Sequence, residues 1–391
     1  MKRIYLDHQA AMPVDPRVVE AALPWLSDRF ANPSSQYSAG IEAREAVEEA
    51  RSSVSALIGG SGSGKIVFTS GATEASNLAI RGAAYRNAEK KGRKVLASAI
   101  EHMSVLNPVK ELQKNGFDTA LVPVDASGTV DLDRLADMVT EDTVVTSIML
   151  ANNEIGTIQP IREISRIVRE KGSFLHVDAV AAAGRIPIDV EEDGIDLLTL
   201  SSNDLYGPLG AGALYVRKGV ALQSVMPGGG QEKGLRSGTE NVFAIVGMGE
   251  AARLASAEMK DESARLAGIR DRYIEGLLGI EETYLTGHPG NRLPHHASVR
   301  FTAIEGEGIL LWLDRAGIQV STGSACSSQT LQASHVLLAL GLEHEEVHGS
   351  MVLTLGRTSS MDDVDYVVKN AGETVGRLRQ MSPVWNTRGK Q

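Results

Sequence analysis

The chain has 391 residues, 42% of them hydrophobic, which suits two packed domains better than one. Its 39 Lys and Arg face 49 Asp and Glu, a formal charge of −10, which argues against nucleic-acid or anionic-lipid binding and for small molecules or proteins as partners. The opening MKRIYLDHQA lacks an apolar signal stretch and no run is long enough to span a membrane. With one cysteine and no partner for it, a reducing compartment, the cytoplasm, is expected.

Apolar, β-rich runs alternate with helical patterns: IVFTS at 66–70, KVLASA at 94–99, ALVPV at 120–124, VVTSIML at 144–150, FLHVDAV at 174–180, LLTLSS at 197–202 and GALYVR at 212–217. That alternation predicts an α/β fold with a mostly parallel, doubly wound sheet. From about residue 245 the pattern becomes a long charged helix, Val246 to Leu277, which bridges into a second domain of mixed α/β character. No repeat and no low-complexity linker is present, so the domains are expected to pack tightly.

Parallel sheets hold ligands at the carboxyl ends of their strands, and polar residues gather there. FTSGATEASNLAI (68–80) reads as strand, turn and helix, making Gly71, Ala72 and Thr73 a candidate phosphate cradle, although the same residues suit an ordinary helix cap. Asp178 ends an apolar strand, where a carboxylate either accepts from a local turn or pairs with a protonated heterocyclic nitrogen such as that of pyridoxal phosphate. Glu101-His102, NNEIGT (152–157) and LSSNDLYGPLGAG (200–212) are expected to converge on the same crevice. The single cysteine, Cys326, sits in STGSACSS (321–328). Residue type alone suits a small buried hydrophobe, whereas Gly323, Ser324 and Ser327 give little apolar cover and suit a reactive, outward-reaching thiol.

Three other motifs carry less. HEEVH (344–348) fits the zincin pattern, with His344 and His348 one turn apart and Glu345 as base, but no third ligand follows. GGSGSGK (59–65) lacks the Ser/Thr of a phosphate loop and precedes a strand, so it reads as a turn. Adjacent His295 and His296 point to opposite sides of any strand, which places them in a loop or at the surface.

YLDHQAAMPVDPRV, NPSSQYSAG, FTSGATEASNLAI, EHMSVL, NNEIGTIQPI, HVDA, YGPLGAGALYVR, GGGQEKGLRSGTEN, STGSACSS and LTLGR, in this order and spacing, resemble the cysteine desulfurases of iron–sulfur cluster assembly. The resemblance spans nearly the whole chain. It implies the pyridoxal-phosphate-dependent transferase fold of type I, with a mostly parallel seven-stranded sheet in a large domain and a smaller α/β C-terminal domain. It also implies a homodimer that takes L-cysteine and hands sulfur to an iron–sulfur scaffold protein. In domain terms, residues 1–14 would pack with the small domain, 15–258 would form the large cofactor-binding domain and 259–391 the small domain carrying Cys326.

Position by position, the resemblance implies that Ala72 and Thr73 hold the phosphate with help from Ser201, and that Thr239 reaches in from the other subunit. His102 would stack on the pyridine ring, Asp178 pair with its nitrogen, and Asn153 face its phenolic oxygen and the substrate. Arg357 would take the substrate carboxylate, a fork that Lys matches poorly. Cys326 would receive the sulfur as a persulfide or lend a thiolate to a 2Fe-2S cluster shared with the scaffold. The Cys326 loop resembles that of the longer-loop desulfurases, and the C-terminal MSPVWNTRGK resembles the segment with which family members touch the scaffold.

The departures from the family are chemical. The family's His-Lys pair, whose lysine joins the cofactor covalently and moves the substrate α-proton, is Asn203-Asp204 here. A carboxylate cannot join an aldehyde as an amine does, and losing a positioned base costs about 10²- to 10⁴-fold in rate. Asp204 also adds negative charge near the phosphate, so the cofactor is expected to bind non-covalently and weakly. Ala181, Val180, Ala11 and Met12 replace a Gln and three Thr of the family, and Leu209 stands where Lys is frequent. Lys65 lies at the wrong strand end and Lys233 in a Gly-rich loop, so neither substitutes. Two functions are expected: a desulfurase with impaired chemistry, or a non-catalytic assembly partner that supplies Cys326.

Overall fold

The computed structural model describes residues 3–323 and 333–388. Strand β1 (Ile4–Tyr5) is followed by the helix Ser38–Leu57 and then by β2 (Gly64–Thr69), β3 (Lys94–Ser98), β4 (Asp118–Val122), β5 (Thr143–Ser147), β6 (Phe174–Asp178), β7 (Leu197–Ser201) and β8 (Gly212–Arg217). Strands β2 to β8 form a seven-stranded sheet in the order β2-β8-β7-β6-β5-β3-β4. Only β8 runs against its neighbours β2 and β7, so the sheet is mostly parallel, as the alternating pattern predicts. The strands are apolar on both sides because helices cover both faces.

One face packs on the helix Ala72–Lys91, whose Ala75, Ala79 and Ala83 let it lie close to Val67, Val95 and Leu214. The other face joins Phe68, Leu96, Val177 and Leu200 to Val47, Ala50 and Val54 of the helix Ser38–Leu57. There, a Cβ on Gly249 would stand 2.5 Å from the Ala50 Cα, so glycine sets the closeness of two helices.

The long helix runs Val242–Leu278, beginning four residues before the sequence expectation because Asn241 caps it by accepting from the Ala244 N–H. Its first half buries Val242, Ile245, Met248 and Ala252 in the core of the large sheet. Its second half buries Leu266, Ile269, Tyr273 and Leu277 in a separate core. Over that second core lie β9 (Thr283–Leu285), β10 (His296–Phe301), β11 (Ile318–Gln319) and β12 (Ser350–Thr354). Strands β12-β10-β9 make an antiparallel sheet, while β1 pairs in parallel with β11 and buries Ile4 and Leu6 in the same core.

The structure corrects one expectation. His295 and His296 are both buried, at 4% and 1% exposure, and His296 opens β10. The reason is a tertiary contact: the His296 Nε2 donates to the Asn153 carbonyl at 2.7 Å, drawing the segment against the loop after β5. HEEVH forms a short helix, His344–Val347, and among the described residues no group of three or more His, Cys, Asp or Glu could hold a metal. GGSGSGK is turn leading into β2. No described helix is long and apolar enough to cross a membrane.

Candidate active site

A cavity of about 450 Å³ opens at the carboxyl ends of the parallel strands, lined by Ala72, Thr73, His102, Asn153, Asp178, Ser201, Asn203 and Asp204 among others. Each of these eight ends a strand of the large sheet or lies on the segment that leaves one. Ala72 and Thr73 open the helix after β2, where the first backbone N–H groups have no intrahelical acceptor. The turn before them is fixed by Thr69, whose hydroxyl donates to the Gly71 carbonyl at 2.9 Å, and by Glu74, which accepts from the Ser70 N–H. A Cβ on Gly212 would lie 2.5 Å from the Gly71 carbonyl carbon and 2.7 Å from its Cα. Gly212→Ala should therefore cost about 1–3 kcal/mol by pushing backbone on backbone. Urea unfolding checks this, and a loss below about 0.5 kcal/mol would show that the turn yields freely.

His102 caps the helix Met103–Lys114: its Nδ1 accepts from the Ser104 N–H at 3.1 Å, leaving the proton on Nε2. Burial lowers its pKa, so a neutral ring faces the cavity. Asn153 is placed by its neighbour Asn152, which is fully buried, donates to the Ile100 carbonyl and accepts from the N–H groups of Glu154 and Ile155. Asp178, 5% exposed, accepts from the Val180 N–H at 3.0 Å, and burial raises its carboxyl to about 6.

Ser201 ends β7, and Asn203 and Asp204 occupy the short turn that follows it. Burial raises Asp204 to about 6, against the opposing pulls of the Ser201 hydroxyl and the positive Arg185. Asn203 accepts from the Met12 N–H at 3.3 Å, tying the N-terminal segment to the cavity wall. Among the described residues no lysine lines the cavity.

Behind the wall, fully buried Glu101 accepts from the Ser98 hydroxyl and the Met149 N–H, and burial raises its carboxyl from 4.5 to about 8. A folded-state value above the unfolded one means that the folded chain holds the proton more tightly, so this contribution to stability is full below pH 4.5 and lost as pH rises through about 8. Glu101→Gln should flatten the decline of melting temperature across that window. An unchanged slope would assign the decline to other groups.

Thr239, expected to reach into the other subunit's site, is exposed in the loop before the long helix. One residue expected in this chain's own site is not in the cavity. Arg357 is held elsewhere, pairing with Asp15 and, at 2.8 Å, with Glu258. Cys326 lies outside the described residues. The cavity also has a residue that the sequence pattern does not single out, Arg185. Its position after the apolar run AVAAAG is the available signal, since a cation there is either buried or at a mouth.

A family model described as aminotransferase class-V matches residues 4–367. The chain belongs to that family. Its relatives place it among the cysteine desulfurases of iron–sulfur cluster assembly. Cysteine desulfurase IscS 1 of Archaeoglobus fulgidus is 58% identical over 97% of this chain and 99% of its own length. Cysteine desulfurase IscS of Methanosarcina thermophila is 48% identical over 98% of this chain and 94% of its own. Among solved structures, a NifS-like protein is 37% identical, with a TM-score of 0.90, over 96% of this chain and all of that one.

The family implies pyridoxal phosphate. The residues of this desulfurase-family chain fit most of that group: a helix N-terminus whose preceding turn packs on Gly212 too closely for a Cβ at 212, a buried acid at the sheet end and a neutral imidazole at the wall. The covalent anchor is the part that does not fit, because an acid occupies position 204 and, among the described residues, the lining has no lysine amine.

Proposed function

We propose that this protein works in iron–sulfur cluster biogenesis in the cytoplasm, as a homodimer that passes sulfur from L-cysteine through Cys326 to a scaffold protein. Atoms balance simply: L-cysteine and the Cys326 thiol give L-alanine and a Cys326 persulfide, the carbon–sulfur bond breaking as the sulfur–sulfur bond forms. A solved structure of SspA in complex with cysteine, 33% identical to this chain with a TM-score of 0.78, supports cysteine as the substrate class.

Ala72, Thr73 and Ser201 would hold the phosphate of pyridoxal phosphate, with Thr239 contributed by the second subunit. Asp178 would keep its ring nitrogen protonated, His102 would cover its ring, and Asn153 would face its phenolic oxygen. When bound, that group supplies an electron sink for the carbon chemistry. Asp204 contributes little to that chemistry: as a carboxylate it removes a carbon-bound proton poorly and leaves the cofactor held by non-covalent contacts alone.

One observation carries a second reading, in which the chain is a non-catalytic assembly partner supplying Cys326 as sulfur acceptor or as a ligand of a 2Fe-2S cluster shared with the scaffold. That observation is the absence of a lysine from the cavity wall among the described residues. The readings separate on purified protein given cysteine and pyridoxal phosphate. Alanine release at the rate of lysine-bearing relatives defeats the second reading, and release slower by about 10²-fold or more favours it.

A further inference from the structure

Asp204 lines the cavity on the short turn after β7, at the position where the family carries its anchoring amine. The groups that act on its carboxyl are the Ser201 hydroxyl, the positive Arg185 and a second acid, Asp178. Arg185 is not paired with it: the guanidinium lies 5.1 Å from the centre of the Tyr206 ring, its Nη2 stands 3.2 Å from the Met12 sulfur, and among the described residues no salt bridge joins Arg185 to a carboxylate. His102 adds no positive charge, because burial holds its ring neutral. With Asp178 at the sheet end suited to a protonated ring nitrogen, Asp204 is an acid on the cavity wall with no cation of its own.

The vitamin B6 phosphate group comes in forms that share ring, phosphate and phenolic oxygen and differ in one substituent, an aldehyde in pyridoxal phosphate and a protonated aminomethyl group in pyridoxamine phosphate. Contacts to the shared parts, including any repulsion between Asp204 and the phosphate, cancel when the two forms are compared, so selection falls to what faces the differing substituent. A lysine amine condenses with the aldehyde and repels the ammonium. Asp204 reverses both preferences. Burial raises its carboxyl only to about 6, so above that pH it is ionised, has no proton to give an aldehyde oxygen and accepts a charge-assisted hydrogen bond from an ammonium. We propose that this cavity selects the amine form of the cofactor, pyridoxamine phosphate, over the aldehyde form, with Asp204 pairing with its ammonium. The inference rests on the reading of the cavity as a pyridoxal phosphate site and names which form of that group the chain keeps. The amine form has no aldehyde with which an incoming amine can condense, so the acid that favours it also slows the release of alanine from L-cysteine.

Calorimetric titration of the purified full-length protein, dialysed free of bound cofactor, tests this without any turnover. Pyridoxamine phosphate should bind at least about tenfold more tightly than pyridoxal phosphate, and by a similar margin more tightly than pyridoxine phosphate, whose hydroxymethyl group has nearly the same size and no charge. Asp204→Asn, which keeps the shape and removes the charge, should shrink both ratios to about threefold or less. Pyridoxal phosphate or pyridoxine phosphate binding as tightly as the amine form overturns the proposal, and so does a preference that survives in Asp204→Asn. If Asp204→Asn does not fold, the series of three ligands on the unaltered protein still decides. Binding of none of the three overturns the proposal together with the cofactor site on which it rests. Failure of alanine release while the preference for the amine form holds counts against the proposed function alone.

Discussion

Asp204→Lys, made together with Asn203→His, should restore covalent capture of pyridoxal phosphate. Borohydride treatment of the unaltered protein is expected to fix no cofactor on the chain, since no lysine lines the cavity among the described residues. In the double variant it should fix about one equivalent at residue 204, with an absorption band the parent lacks, and alanine release should rise about 10²- to 10⁴-fold. Peptide mapping after borohydride reads this directly. An adduct on another lysine of the unaltered protein would mean that a substitute amine reaches the cavity. A double variant that stays colourless would shift the blame to Val180 and Ala181, where the family's Thr and Gln hydrogen bonds are gone. Asp204 is raised to about 6 by burial, so a lysine placed there enters the same poorly hydrated wall and its amine should be easier to deprotonate than a surface one.

Cys326→Ser is the second large effect. Every route proposed for sulfur or iron passes through this single thiol, so its loss should remove persulfide labelling altogether. It should also bleach any brown colour that co-purifies with the scaffold under anaerobic conditions. Serine keeps the size and loses the soft, polarisable donor that sulfur and iron both need. Retained colour in the variant would place the cluster wholly on the scaffold. Retained label would require a sulfur acceptor outside this chain, because the chain has no second cysteine.

Much of the site is legible in the sequence because its residues are local to elements the sequence announces. Asp178 stands out as an acid closing a buried strand, and Ala72 and Thr73 follow a strand through a Ser-Gly turn into a helix; both arrangements depend on neighbours within a few positions. The His295-His296 pair is misplaced by local pattern for the opposite reason, since the contact that buries His296 is with the Asn153 carbonyl, 143 residues away. The surroundings of Arg185 and Arg357 escape local pattern on the same ground. Nothing near Arg357 in sequence announces that Asp15, 342 residues earlier, will occupy its guanidinium. Nothing near Arg185 announces that the described chain will leave it without an anion.

From its order of residues alone, this chain determined the parallel sheet, the crevice at its strand ends and an acid, Asp204, on the segment that leaves β7, because periodicity, strand-end polarity and residue chemistry are written in short windows. Only the tertiary structure decided which charges are already neutralised and which remain open to a ligand inside the cavity. Charge pairing is a through-space property that acts over a few ångströms between residues hundreds of positions apart, and no local pattern encodes it.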